Sequence, residues 1–194
     1  MNKDVHGRIM IRIKLLDQLW NFFNLKLKKV KYGKALTIFG RVHIHGKKEG
    51  IEIGDNCIIC SGEDYNPTSS GSHTHLSVGE NGKLVIGDNV GMSLVHITAF
   101  CNVTIEDDVL LGAGTKIWDT DFHPIRFTER KKKLEPACSP IKIQEGAFIG
   151  ACSIILKGVT IGRYSVIGAG SVVTKDIPEG EVWAGNPARY IKKV

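Results

Sequence analysis

Long apolar runs are missing from this 194-residue chain, although 42% of it is hydrophobic. No stretch approaches the ~18 residues that a membrane-crossing helix needs. Arg8, Arg12, Lys14 and Asp17 interrupt the apolar residues near the start, so no signal-peptide core is expected there. Cysteine is sparse and odd in number: Cys57, Cys60, Cys101, Cys138 and Cys152 stand at irregular spacing. That argues against a secreted disulfide framework and for a reducing compartment, so the expected location is cytoplasmic. Cys57 and Cys60 form a CxxC, but with no second pair and no spaced histidine it reads as core filling rather than zinc binding. Aromatic residues make up only 7%, and no aromatic-rich basic motif of a nucleic-acid module is present. Nucleic acid is therefore not an expected partner, and the net charge of +6 is left for another anion, such as a phosphate-bearing small molecule or a lipid surface. Only six prolines occur, and no Pro/Ser tract divides the chain, which implies one domain with a short N-terminal element.

What the sequence does have is a six-residue period. Ile143, Ile149, Ile155, Ile161, Ile167 and Val173 follow one another at that step, with Gly150, Gly162 and Gly168 directly after three of them. Four places beyond successive aliphatics come Ala147, Ser153, Val159, Ser165 and Ser171, a second and smaller inward set. Six is too long for a helical turn, and an amphipathic strand would alternate without the glycines. A stacked coil fits: each hexapeptide is a short strand and a corner, three make a triangular rung, and the aliphatics pile into one internal column.

Elsewhere the period is less regular. Between Gly7 and Lys31, Ile9, Ile13, Leu16, Trp20, Phe23 and Leu27 recur at helical steps among basic residues, which predicts an amphipathic helix over a segment bounded at 1–32. Such a helix either caps the open first rung or lies on an anionic membrane. Ile38 and Ile44 begin the coil of residues 33–194, and "IGDN" corners stand at Ile53–Asn56 and Ile86–Asn89. Ser61–His75 reads as a loop excursion, with His73 and His75 expected in solvent. Between Met92 and Ile105 the repeat slips by one residue, which suggests a bulged corner. Residues 118–140, rich in charge and proline, cannot form a rung and are expected to leave the coil as an arm. Pro187–Val194 is expected to close the coil as a short helix.

The final run "IGAGSVVTKDIPEGEVWAGNPARYIKKV" (Ile167–Val194), with "FHPI" at His123 and "PIKI" downstream, resembles the hexapeptide-repeat acyltransferases, nearest the maltose and galactoside acetyltransferases and the polysaccharide O-acetyltransferases. The resemblance implies a single-stranded left-handed parallel β-helix, a homotrimer, and acetyl-CoA as co-substrate with no metal. Handedness comes only from the resemblance, since crossover rules favour the opposite hand. It further implies that His123 is the general base, that Phe148, Gly150 and Ala151 line the thiol end of coenzyme A, that Gly168 and Ala169 lie along its pantetheine arm, and that Thr174, Lys175 and Arg189 meet its nucleotide.

Chemistry points the same way. A sugar hydroxyl is a poor nucleophile at neutral pH, so a positioned imidazole has to take its proton as it attacks a thioester directly. A corner N–H such as that of Ala151 can serve the oxyanion. Asp119 or Asp121 either orients the imidazole or binds the acceptor, and Trp118 is a sugar-stacking platform or a rung cap. The expected reaction is acetyl transfer from acetyl-CoA to a sugar hydroxyl, of a surface polysaccharide or its precursor, because Met1–Lys31 does not resemble the N-terminal segment of the maltose and galactoside enzymes. A basic helix of this kind also suits peripheral contact with the inner face of a membrane that holds the acceptor. Free maltose or galactoside, serine, a xenobiotic or an amino sugar are alternative acceptors. From other classes, a trimeric scaffold and a carbonic-anhydrase-like zinc site using His96 and His123 remain open.

Overall fold

The computed structural model describes residues 3–66 and 73–194, with side chains from Leu15 onward except Glu63. After helix α1 (Lys3–Leu27) the chain winds through six three-strand rungs. The first holds β1 (Lys31–Tyr32), β2 (Thr37–Phe39) and β3 (His43–Gly46), and the second β4 (Ile51–Ile53), β5 (Ile58–Cys60) and β6 (His75–Val78). The third holds β7 (Lys83–Ile86), β8 (Gly91–Ser93) and β9 (His96–Ala99), and the fourth β10 (Asn102–Ile105), β11 (Leu110–Leu111) and β12 (Lys116–Trp118). Helix α2 (Phe127–Lys131) lies in the arm that follows. The fifth rung is β13 (Ile141–Ile143), β14 (Phe148–Ile149) and β15 (Ile154–Leu156), and the sixth β16 (Thr160–Ile161), β17 (Val166–Ile167) and β18 (Val172–Val173). Each rung gives one strand to each of three parallel sheets, here called faces A, B and C in the order the chain visits them.

Register makes the six-residue period a column. Ile105, Ile143 and Ile161 pair in sequence on face A, Leu111, Ile149 and Ile167 on face B, and Ile117, Ile155 and Val173 on face C, all essentially sealed from solvent. Burying each such side chain stabilises the coil by about 1.5–3 kcal/mol. The smaller inward slots at Ala147, Ser153, Val159, Ser165 and Ser171 are buried as expected, and the hydroxyls of Ser153, Ser165 and Ser171 donate to the carbonyls of Gly168, Pro178 and Gly168. Cys57 fills the same kind of slot, its thiol pushed up in pKa by burial. At the A–B corner the "IGDN" residues form ladders: the Asp55 N–H donates to Asp88 and the Asp88 N–H to Asp107, each at 2.7 Å. Asn56, Asn89 and Asp108 take the left-handed conformation that the turn requires.

Four expectations are corrected. The C-terminus is not a helix: β19 (Glu181–Gly185) joins face B beside β17, and β20 (Ala188–Lys193) folds back on it antiparallel. Pairing satisfies the backbone of the last face-B strand, which a helix of this length would leave open. The slip after Met92 is the sum of a B–C corner shortened by one residue, with five from Met92 to Ile97, and a C–A passage lengthened by two, with eight from Ile97 to Ile105. Met92 and Ile97 pair with Leu111 and Ile117, and a left-handed Leu94 takes the tighter turn. The coil begins at β1, inside the segment assigned to the helix.

Helix α1 does cap the first rung, but by a different face. Asp17, Asn21 and Leu25 are buried, while Leu16, Phe23 and Leu27 are exposed; the expected Ile9, Ile13, Arg8 and Arg12 lie outside the described side chains. The reason is that an open rung presents backbone polar groups. Asn21 donates to the Gly40 carbonyl at 2.8 Å and accepts the Val42 N–H at 3.0 Å, Trp20 Nε1 donates to the Val42 carbonyl, and Asp17 pairs with Arg41 at 2.6 Å. A polar stripe is what that edge needs.

Candidate active site

The arm leaves the coil at the end of β12, on the C–A corner, and its two ends are zipped together. Thr120 bridges Cys138 antiparallel, the Asp121 N–H donates to the Ala137 carbonyl at 3.0 Å, and the Ser139 N–H donates to the Asp119 carbonyl at 2.9 Å. Cys101, at the preceding corner, is disulfide-bonded to Cys138 with Cα atoms 6.1 Å apart, a covalent tether that the scattered cysteines did not lead us to expect. Asp119, Cys101 and Cys138 lie close enough to suggest a metal set. However, the sulfurs bond each other, and the Asp119 carboxylate accepts the N–H groups of Phe100 and Cys101, each at 2.7 Å.

The Asp119 carboxylate is buried, with both oxygens engaged in holding this corner. Asp121 lies on the arm, two residues before His123. Lys157 holds its Oδ1 at 2.9 Å, and its Oδ2 is buried without a hydrogen-bond partner among the described residues. His123 is exposed and sits on a tight turn, its N–H donating to the Asp121 carbonyl at 2.7 Å across a left-handed Phe122. Phe122 packs edge-on against both Trp118 and Phe100, so Trp118 braces the root of the arm more than it offers a free stacking face. Pro124 is buried, which fixes the chain just after His123.

The residues assigned to coenzyme A gather elsewhere. Gly112, Gly150 and Gly168 stack at successive turns of the B–C corner, so tightly that a Cβ on Gly150 would lie 2.5 Å from the Ala169 nitrogen and one on Gly168 would lie 2.7 Å from Ala184 Cβ. The result is a smooth edge, flanked by the exposed ring of Phe148, along which a thin chain can run close to the backbone. The Ala151 N–H makes no hydrogen bond among the described residues. Beyond this edge Lys175 lies over the Trp183 ring at 4.9 Å, and Trp183 meets Tyr190 edge-on, which brings Lys175 and the β20 residue Arg189 to one end of the coil, with Thr174 exposed beside them.

Within one chain the two halves do not meet. The B–C corner and the root of the arm lie on opposite edges of face C, separated by strand β15 and its flanks, roughly 10–15 Å at ~3.3 Å per residue. The arm also exposes Ile125, Phe127 and Leu134.

His73 and His75, expected in solvent, are instead partly buried against His43 and His96 on the outer side of face C, while residues 67–72 of the same excursion lie outside those described. His96 therefore belongs to a histidine cluster on face C.

Comparison with known proteins agrees with this architecture. Residues 140–175 match the family model described as bacterial transferase hexapeptide (six repeats), and residues 44–62 match the hexapeptide repeat of succinyl-transferase. The chain is 35% identical to a galactoside O-acetyltransferase of Lactococcus lactis over 76% of its own length and 65% of that protein's. It spans about half the length of several curated relatives it matches. Among solved structures, it is similar to a hexapeptide-repeat acetyltransferase of Vibrio cholerae complexed with acetyl coenzyme A, at TM-score 0.60 and 26% identity over 96% of this chain and 84% of that one. A polySia-specific acetyltransferase, NeuO, aligns at TM-score 0.54 and 29% identity over 84% of this chain and 70% of its own.

Proposed function

We propose that this parallel β-helix, whose residues 140–175 match the bacterial transferase hexapeptide model, is an acetyl-CoA-dependent O-acetyltransferase acting on a sugar hydroxyl of a surface polysaccharide or its precursor. The observation that carries this reading is the pairing of two features: a glycine-stacked edge on which a Cβ would collide with backbone, and an exposed His123 held on an arm whose two ends are hydrogen-bonded together. His123 takes the proton of the acceptor hydroxyl as its oxygen attacks the thioester carbonyl, and returns it to the departing thiolate, leaving an acetyl ester and free coenzyme A. Asp121 Oδ2, buried and without a hydrogen-bond partner among the described residues, is the group that orients the imidazole or holds the acceptor. The Ala151 N–H faces the oxyanion.

Arm and coenzyme edge stand apart in one chain, so the site is assembled between copies, with the arm of one reaching the B–C corner of the next. A closed trimer satisfies every such contact at once, and the exposed Ile125, Phe127 and Leu134 supply the apolar surface to be covered. The outward apolar face of α1, with Phe22, Phe23 and Leu27 exposed near Lys26, suits peripheral contact with an anionic membrane and hence a lipid-linked acceptor on the cytoplasmic side. No helix among the described residues is long and apolar enough to cross a membrane. The reading is tested by thiol release from acetyl-CoA against free sugars, lipid-linked glycans and polysaccharide, with mass measured by light scattering. Acetylation of glycan polymer or lipid-linked glycan by a trimer is expected. Faster acetylation of free galactosides, serine or an amino sugar would overturn the acceptor, and a monomer with full activity would overturn the shared site.

A further inference from the structure

Five of the chain's seven histidines, His43, His45, His73, His75 and His96, crowd one patch on the outer side of face C. Register sets His43, His75 and His96 side by side on β3, β6 and β9, with ring centroids 4.8 Å apart at both steps. His73, at the end of the excursion, lies 5.1 Å from His43, and His45 lies 5.8 Å from His75. The Trp20 ring covers one end at 5.8 Å from His43. The coil does not require this: the same outward position further along face C is filled by Lys116, Ile154 and Val172. Nor does the proposed acetyl transfer use any of these side chains.

We propose that this patch is a binding site for an imidazole-preferring divalent transition metal ion such as Zn²⁺, Ni²⁺ or Cu²⁺, held by His43, His75 and at least one of His73 and His96. Imidazole nitrogen is the common protein donor to these ions. Bonds of ~2.0–2.1 Å require neighbouring donor nitrogens about 3.3 Å apart. The His43 and His75 rings are stacked at 15°, whereas His73 is tilted by 47° to His43 and His96 by 40° to His75, so a shared ion requires the rings to turn about their soft Cβ–Cγ torsions. Burial, and after it the neighbouring histidines, holds His75 down to about 4, and burial foremost also lowers His43 and His96. The His96 ring is already hydrogen-bonded to the His73 backbone, the kind of contact that fixes the tautomer of a metal-bound imidazole. A bound ion staples the first three rungs and the end of the excursion, stabilising the coil by linkage.

The test uses untagged full-length protein, stripped with chelator and titrated with ZnCl₂, NiCl₂ or CuCl₂ by calorimetry, with Tm followed in parallel. The expected result is saturable uptake of one ion per chain, with Kd on the order of micromolar or tighter and a raised Tm. His75→Phe keeps the ring stack and removes the nitrogens. It should fold with the native circular dichroism spectrum and lose at least about a hundredfold in affinity, whereas His123→Ala should bind as the native protein does. The proposal is overturned by no saturable uptake of any of the three ions, by unchanged affinity in His75→Phe, or by loss of binding in His123→Ala.

Discussion

Replacing Gly150 by alanine tests the stacked corner on which both the fold and the coenzyme edge depend. An ideal Cβ there would meet the Ala169 nitrogen at 2.5 Å, the Ile167 oxygen at 2.6 Å and the Gly168 carbonyl carbon at 2.8 Å. All three are backbone atoms of the next rung, so none can rotate away. The Gly150 N–H also donates to that Ile167 oxygen at 2.7 Å, and any separation of the rungs stretches this bond. Overpacking costs about 1–3 kcal/mol, and the rigidity of the neighbours puts Gly150→Ala near the upper end. At about 2–4 °C per kcal/mol for a chain of this size, Tm should fall by roughly 6–12 °C. Gly91→Ala is the internal control: its Cβ would meet only the tip of Leu110, at 3.0 Å, and it should move Tm by no more than about 3 °C. Calorimetry at one fixed protein concentration reads both, because any oligomer makes Tm depend on concentration. Equal shifts for the two variants, or a Gly150→Ala protein as stable as the native one, would refute the argument that the corner is closed by backbone contact.

Asp119→Ala should cost about 2–5 kcal/mol in urea unfolding, since it orphans the N–H groups of Phe100 and Cys101. An Asp119→Asn protein that kept native stability but lost activity with a shifted pH profile would restore Asp119 as the partner of His123. Glu106 bridges two rungs through Lys142 at 2.7 Å, and that hydrogen bond holds its carboxyl below the ordinary carboxylate pKa. Its contribution, about 0.5–1 kcal/mol for so exposed a pair, is complete above the ordinary pKa of ~4.3 and is lost as pH falls through the lowered one. Glu106→Gln should therefore flatten the stability profile only in that acid range, and a change confined to pH 6–8 would contradict the assignment.

The coil was legible because its repeat is a property of single positions: Ile143, Ile149 and Ile155 must each face inward whatever their neighbours do. The closing strand was not, because Ala188–Lys193 is too short for periodicity to separate strand from helix, and the decision rests with the open edge of β19. For α1 the pattern misled for a physical reason: the cap must answer backbone groups at Gly40 and Val42, so Asn21 turns inward beside Leu25 while Leu16 and Leu27 face outward. His123 stood out through "FHPI" and the break in the repeat. The histidine patch was hidden, because His43, His75 and His96 become neighbours only once the rungs are stacked, and the bond of Cys101 to Cys138 spans 37 residues with no spacing to announce it.

The central claim is that His123 performs proton transfer in acetyl transfer, and its most direct test is the steady-state rate of thiol release by native protein and His123→Ala with the best glycan acceptor. The account predicts a fall in kcat of about 10²–10⁴-fold with the KM for acetyl-CoA little changed, because the coenzyme edge at Gly150 and Gly168 is untouched. Equal kcat for the two proteins would contradict it and leave His123 an ordinary residue of the arm.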